Sequence, residues 1–153
     1  MWSRIVSFFS GIGSNNNEFK TCVDSRLGKL TCEFDRKKDE FFFWNAEINT
    51  INKDKSPTDI TIDGDMTSPY STALEIAHKV IDSISNITYD VQQELNAKFS
   101  EENIDLSKGY TLDDITVYMD NEVEYELEYF SDGKEVMVSV SFKDNKITEL
   151  DLY

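Results

Sequence analysis

The chain alternates between two hydrophobic periods, and the changeover points divide it into three parts. In the first part, apolar residues recur at every second position, as they do in a half-buried strand. Phe19 to Val23 and Leu30 to Phe34 form two such runs about Leu27-Gly28-Lys29, with a charged turn at Arg36 to Glu40. Phe41 to Ile51 is a third strand with Trp44, Ala46 and Ile48 on one side, and a loop containing Pro57 leads into Asp59 to Ile62, closed by Asp63-Gly64. The period then lengthens. Ser68 followed by Pro69 reads as a helix start, with an N-cap side chain and a proline at the first helical position. Ala73, Ala77, Val80, Ile84, Ile87, Val91, Leu95 and Phe99 follow at intervals of three or four, one apolar stripe on one long helix. The weak propensity of Ser85-Asn86 and Thr88 offers a bend or break near Asn86.

After Lys108-Gly109 the period returns to two. Ile115, Val117 and Met119 alternate with polar residues, and Val123 to Phe130 reads as a strand. Ser131-Asp132-Gly133-Lys134 carries an Asp-Gly pair suited to a tight hairpin. Val136, Val138, Val140 and Phe142 alternate again, and after the turn Lys143 to Lys146 a last strand carries Leu150 and Leu152. The expected fold is α+β, an antiparallel sheet of N-terminal strands and a C-terminal meander packed against one long central helix. Residues 1–17 read as an amphipathic segment and flexible joint (Gly11, Gly13 and an asparagine run), and residues 18–153 as one domain. A length of 153 residues suits a single core.

Charge changes the picture more than composition does. Fifteen basic against thirty acidic residues give a net charge of −15. Such a chain is repelled by phosphate backbones and anionic lipid surfaces and attracts basic partners, which argues against nucleic-acid binding. The N-terminal aromatics Trp2, Phe8 and Phe9 suit docking on the body better than stable membrane insertion, and a soluble, cytoplasmic monomer is the expectation. Two cysteines, Cys22 and Cys32, are too few for a disulfide framework or a four-thiolate metal site; they could face each other across a hairpin, with reduced buried thiols the plainer reading.

Candidate chemistry is sparse. His78, the one histidine, lies mid-helix beside the apolar stripe, where a packing role is expected. No nucleophile motif, phosphate loop or zinc-binding pair occurs, so no catalytic residue and no cofactor are expected. Asp59, Asp63 and Asp65 cluster in DITIDGD, but a calcium loop counted from Asp54 places Asp59 where glycine is required. The segment reads as a strand exit.

The acidic residues are not evenly spread. From Asp113 to Asp132 no lysine or arginine interrupts the acids, and within that run Glu124, Glu126 and Glu128 occupy alternate positions opposite Val123, Tyr125, Leu127 and Tyr129. Like charges along one strand face cost stability and create a field that speeds association with a basic partner. Asp120, Glu122, Glu124, Glu126 and Glu128 are therefore the candidate partner-binding residues. Tyr118, Tyr125 and Tyr129 are possible aromatic anchors, with Tyr125 and Tyr129 expected in the core.

The run LGKLTCEFDRKKDEFFFWNAEI, followed by ITID and a helix carrying ALEIAHKVI, resembles a group of small acidic α+β bacterial proteins. Several of these look like immunity proteins, which bind and block polymorphic or contact-dependent toxins. The resemblance spans roughly Leu27 to Leu152 and implies a cognate toxin domain as partner, with a basic one such as a nuclease the expectation from the charge. It transfers no catalytic residue. Two rivals remain: a carboxylate- or metal-dependent hydrolase, and a peripheral membrane adaptor using the N-terminal aromatic segment.

Overall fold

The computed structural model describes residues 17–53 and 55–153; the N-terminal amphipathic segment and Asp54 lie outside the described residues. Strand β1 (Asn17–Asp24) returns through a turn as β2 (Gly28–Asp35), in antiparallel register from Asn17 opposite Asp35 to Asp24 opposite Gly28. The carboxylate of Asp24 builds that turn by accepting from the backbone N–H groups of Arg26 (2.9 Å) and Leu27 (2.8 Å), and Gly28 supplies a φ of 76° that a side chain would oppose. β3 (Phe42–Ile48) and β4 (Thr58–Gly64) complete an antiparallel meander.

Two helices then carry the chain over the sheet, and β5 (Tyr110–Val117) lies parallel to β4. Parallel neighbours need a long crossover, and the helical segment supplies it. β6 (Tyr125–Ser131), β7 (Met137–Lys143) and β8 (Lys146–Leu152) form a second antiparallel meander. All eight strands join one sheet in chain order. Where β5 bulges between Leu112 and Asp114, the Asn52 side chain restores the ladder, accepting from the Leu112 N–H (3.0 Å) and donating to its carbonyl (2.8 Å).

The helical region departs from the sequence reading in two ways. Pro69 bridges to Gly64 instead of opening the helix, and α1 starts at Ser71 (Ser71–Asp82) with no side-chain cap. Asp65 is responsible, because its carboxylate accepts from the N–H groups of Thr67 (2.7 Å) and Ser68 (3.0 Å) and turns the chain before the helix. Gly64 is required beneath that turn, since a Cβ there would sit 2.4 Å from the Ser68 carbonyl oxygen. Second, the long helix is two helices, broken at Ser83, with α2 running from Ile84 to Lys98. One straight helix over that span would be about 40 Å long, against about 25 Å for these strands. Divided, the region covers β4 and β5 with α1 and reaches β8 with α2.

The core lies between helices and sheet. Trp44, Phe34, Ile60, Ile62, Ile115 and Leu127 are fully buried on the sheet side, and Ala73, Ala77, Val91 and Leu95 are buried on the helix side. At the β6–β7 hairpin, positive φ falls on Lys134 (57°) and not on Gly133.

Candidate functional site

The face of the sheet away from the helices carries the acidic residues. Cross-strand partners share a face, so the register defines rows that run across the sheet. One row is Glu47–Asp59–Asp114–Glu128–Ser139–Asp151, from β3 to β8. A second is Thr21–Thr31–Asn45–Thr61–Thr116–Glu126–Ser141–Glu149, crossing all eight strands. No lysine or arginine occupies either row. The alternation of β6 that builds this face is the one expected: Tyr125, Leu127 and Tyr129 are buried, and Glu126 and Glu128 point away from the core.

The candidate residues do not form a single strip. Glu126 and Glu128 sit mid-sheet and are half-buried between the small side chains of β5 and β7, not fully solvent-facing. Glu124 precedes the strand and lies 3.6 Å from the Lys143 ammonium, so a cation does stand beside the glutamate run. Asp120 and Glu122 are exposed in the β5–β6 connection, where the Asp120 carboxylate accepts from the Glu122 N–H at 2.6 Å and shapes the loop. Tyr125 stacks on Phe142 with ring centroids 4.5 Å apart, and the Tyr129 hydroxyl meets that of Thr88 at 2.8 Å. Both tyrosines belong to the core.

What the sequence reading missed are the carboxylates that other strands bring alongside. Asp59 and Asp114 face each other across the parallel β4–β5 pair, and Glu47 and Asp151 extend the row. The carboxyl of Asp59 is raised above its ordinary value, first by desolvation and then by the charges of Glu47 and Asp113, with Lys134 partly offsetting them. The signal was present in DITID, where Asp59, Thr61 and Asp63 alternate with isoleucines, but its partners lie far away in the chain. Asp63 has a further task, accepting from the Met119 N–H at 2.8 Å.

Elsewhere the reactive groups are committed to the fold. His78 Nε2 lies 3.0 and 3.1 Å from the two Asp24 oxygens, pinning the β1–β2 turn to α1, so its role is a polar contact more than packing. Burial pushes the Asp24 carboxyl up, but the Leu27 and Arg26 N–H groups and His78 outweigh it and leave its pKa lowered. Cys22 and Cys32 are free thiols two positions out of register, opposite Leu30 and Lys20. Burial pushes the Cys32 thiol up to about 11, and burial and then Asp24 raise that of Cys22, so neither is a ready thiolate.

Two clefts indent the helical side, of about 410 and 310 Å³. Gln92 in the first bonds the Ile104 carbonyl and the Leu106 N–H, and Asn52 and Thr88 in the second hold β5 and Tyr129, so these polar groups serve the scaffold. Among the described residues no group of three or more His, Cys, Asp or Glu side chains is placed to hold a metal ion, and no helix is long and apolar enough to cross a membrane. No protein-family model matches the chain, and no curated protein or solved structure does. The likeness to immunity proteins rests on the quoted sequence runs alone.

Proposed function

We propose that the chain is an immunity protein that binds and neutralises a basic toxin domain, such as a nuclease, in the cytoplasm of the cell that makes both. The observation that carries this reading is the row Glu47–Asp59–Asp114–Glu128–Asp151, interrupted only by Ser139, with no lysine or arginine at any of its positions. Its residues sit on strands about 4.8 Å apart, with Ser139 between Glu128 and Asp151. A cationic cleft that accepts a phosphate backbone meets there a comparable linear array of negative charge. The carboxyl of Asp59, raised first by desolvation and then by the charges of Glu47 and Asp113, would be favoured in its charged form beside a cationic surface. Glu124, Glu126 and Glu128 add to the same field, and Asp120 and Glu122 stand at its margin, so they bear on encounter more than on the final contact.

The test uses the product of the gene adjacent to the one for this chain. Its toxic domain should bind the chain with an association rate that falls as salt rises. Neutralising Glu47→Gln, Asp59→Asn, Glu126→Gln and Glu128→Gln together should weaken binding at least tenfold and abolish protection in a growth assay, with the circular-dichroism spectrum unchanged. A neutralised variant that binds and protects as the wild type does would overturn the proposal.

A further inference from the structure

Among the described residues the sheet ends in β1 on one side and β8 on the other, and the two edges are built differently. Among the described residues β1 has a strand neighbour only in β2, and β8 only in β7. On the helix-free face β8 presents Glu149 and Asp151, and charge of one sign discourages another strand from adding there. β1 presents Phe19, Thr21 and Val23 on that face, with Phe19 66% and Val23 83% exposed. No charge or proline interrupts these three positions.

We propose that a second copy of the chain pairs with this edge, β1 against β1, antiparallel about Thr21. In that register Phe19 of each copy lies opposite Val23 of the other, so the two-fold axis covers all four exposed apolar side chains. Thr21 faces its own mate. On the helix-side face Lys20 meets Cys22 and Glu18 meets Asp24. The latter two acids are already compensated: Arg36 lies 3.0 Å from Glu18, and Asp24 is held by His78.

Charge selects the same edge. Residues 17–40 hold six acidic and six basic residues, whereas residues 41–153 hold 24 acidic and 8 basic. Two copies joined through β1 meet at their neutral ends and keep their acidic parts apart, where self-repulsion is least. The carboxylate rows, which lie from β3 onward, stay open. The dimer replaces the monomer expected from the sequence and does not depend on the proposed function.

Sedimentation velocity of the full chain over a hundredfold concentration range tests the assembly. The wild type should approach twice the chain mass, and Val23→Lys, at an exposed position, should weaken the dimer by more than tenfold with its thermal melt unchanged. A second measurement fixes the register. In a Cys22→Ser background, Thr21→Cys should oxidise to a covalent dimer, while Glu149→Cys should not. A wild type that is monomeric throughout, a Val23→Lys variant that dimerises as the wild type does, or cross-linking from Glu149→Cys as efficient as from Thr21→Cys overturns the proposal.

Discussion

Asp24 shows how much one side chain can decide. Its carboxylate closes the β1–β2 turn through two backbone N–H groups and meets His78 on α1, so one residue joins a hairpin to a helix. Asp24→Ala leaves those donors and the imidazole without their acceptor and should cost about 2–3 kcal/mol at pH 7. Because the folded state lowers its pKa, the stabilisation is present above the unfolded carboxylate value and disappears as pH falls through the folded one. Urea melts of wild type and variant should therefore differ at pH 7 and converge as pH falls well below the ordinary carboxylate value of 3.8. An undiminished difference in acid would assign the loss to packing.

At the scale of elements, the break at Ser83 changes what Ile84 does. On one continuous helix Ile84 is a mid-stripe core residue, and Ile84→Asp costs several kcal/mol. The structure makes Ile84 the first residue of α2 and half-buried, so an aspartate there keeps solvent and gains from the positive end of the helix. Val91, on the same helix, is fully buried. Ile84→Asp should cost no more than about 2 kcal/mol, while Val91→Asp should exceed about 4 kcal/mol through an unpaired buried charge. Chemical denaturation of the two variants checks the order, and the reverse order would place Ile84 back in a continuous stripe.

For the whole molecule, a net charge of −15, with 24 acidic against 8 basic residues in 41–153, opposes folding through self-repulsion. Asp59 feels it locally, from Glu47 and Asp113, in addition to the larger effect of desolvation. A raised carboxyl favours the folded state fully below the unfolded pKa, and the advantage is lost as pH rises through the folded value. Asp59→Asn should therefore stabilise the protein at neutral pH, and the gain should vanish well below the ordinary value of 3.8. Thermal melts at pH 7 and pH 3 measure it, with added salt shrinking the neutral-pH gain. An Asp59→Asn variant less stable than wild type at pH 7 would mean that the carboxylate is held by contacts stronger than its repulsion.

The sequence by itself determined the strands, the turns near Gly28 and Lys143 to Lys146, the acidic character and the two-sided nature of β6. These follow from residue type and period, which act over a few positions: Tyr125, Leu127 and Tyr129 had to face inward together, and Glu126 and Glu128 away. The helix starts at Ser71 and not at Pro69 because Asp65 accepts from the Thr67 and Ser68 N–H groups and turns the chain there, and Pro69 bridges to Gly64. The helix break was half legible, since weak formers gather near it, but its place at Ser83 was not. The candidate site was legible only along β6. Its fuller form joins Glu47, Asp59, Asp114 and Glu128, residues from four strands, and only tertiary structure aligned them. The parallel β4–β5 pairing makes that alignment beneath α1, which packs over both strands, and pairing between segments about fifty residues apart is encoded by no local pattern.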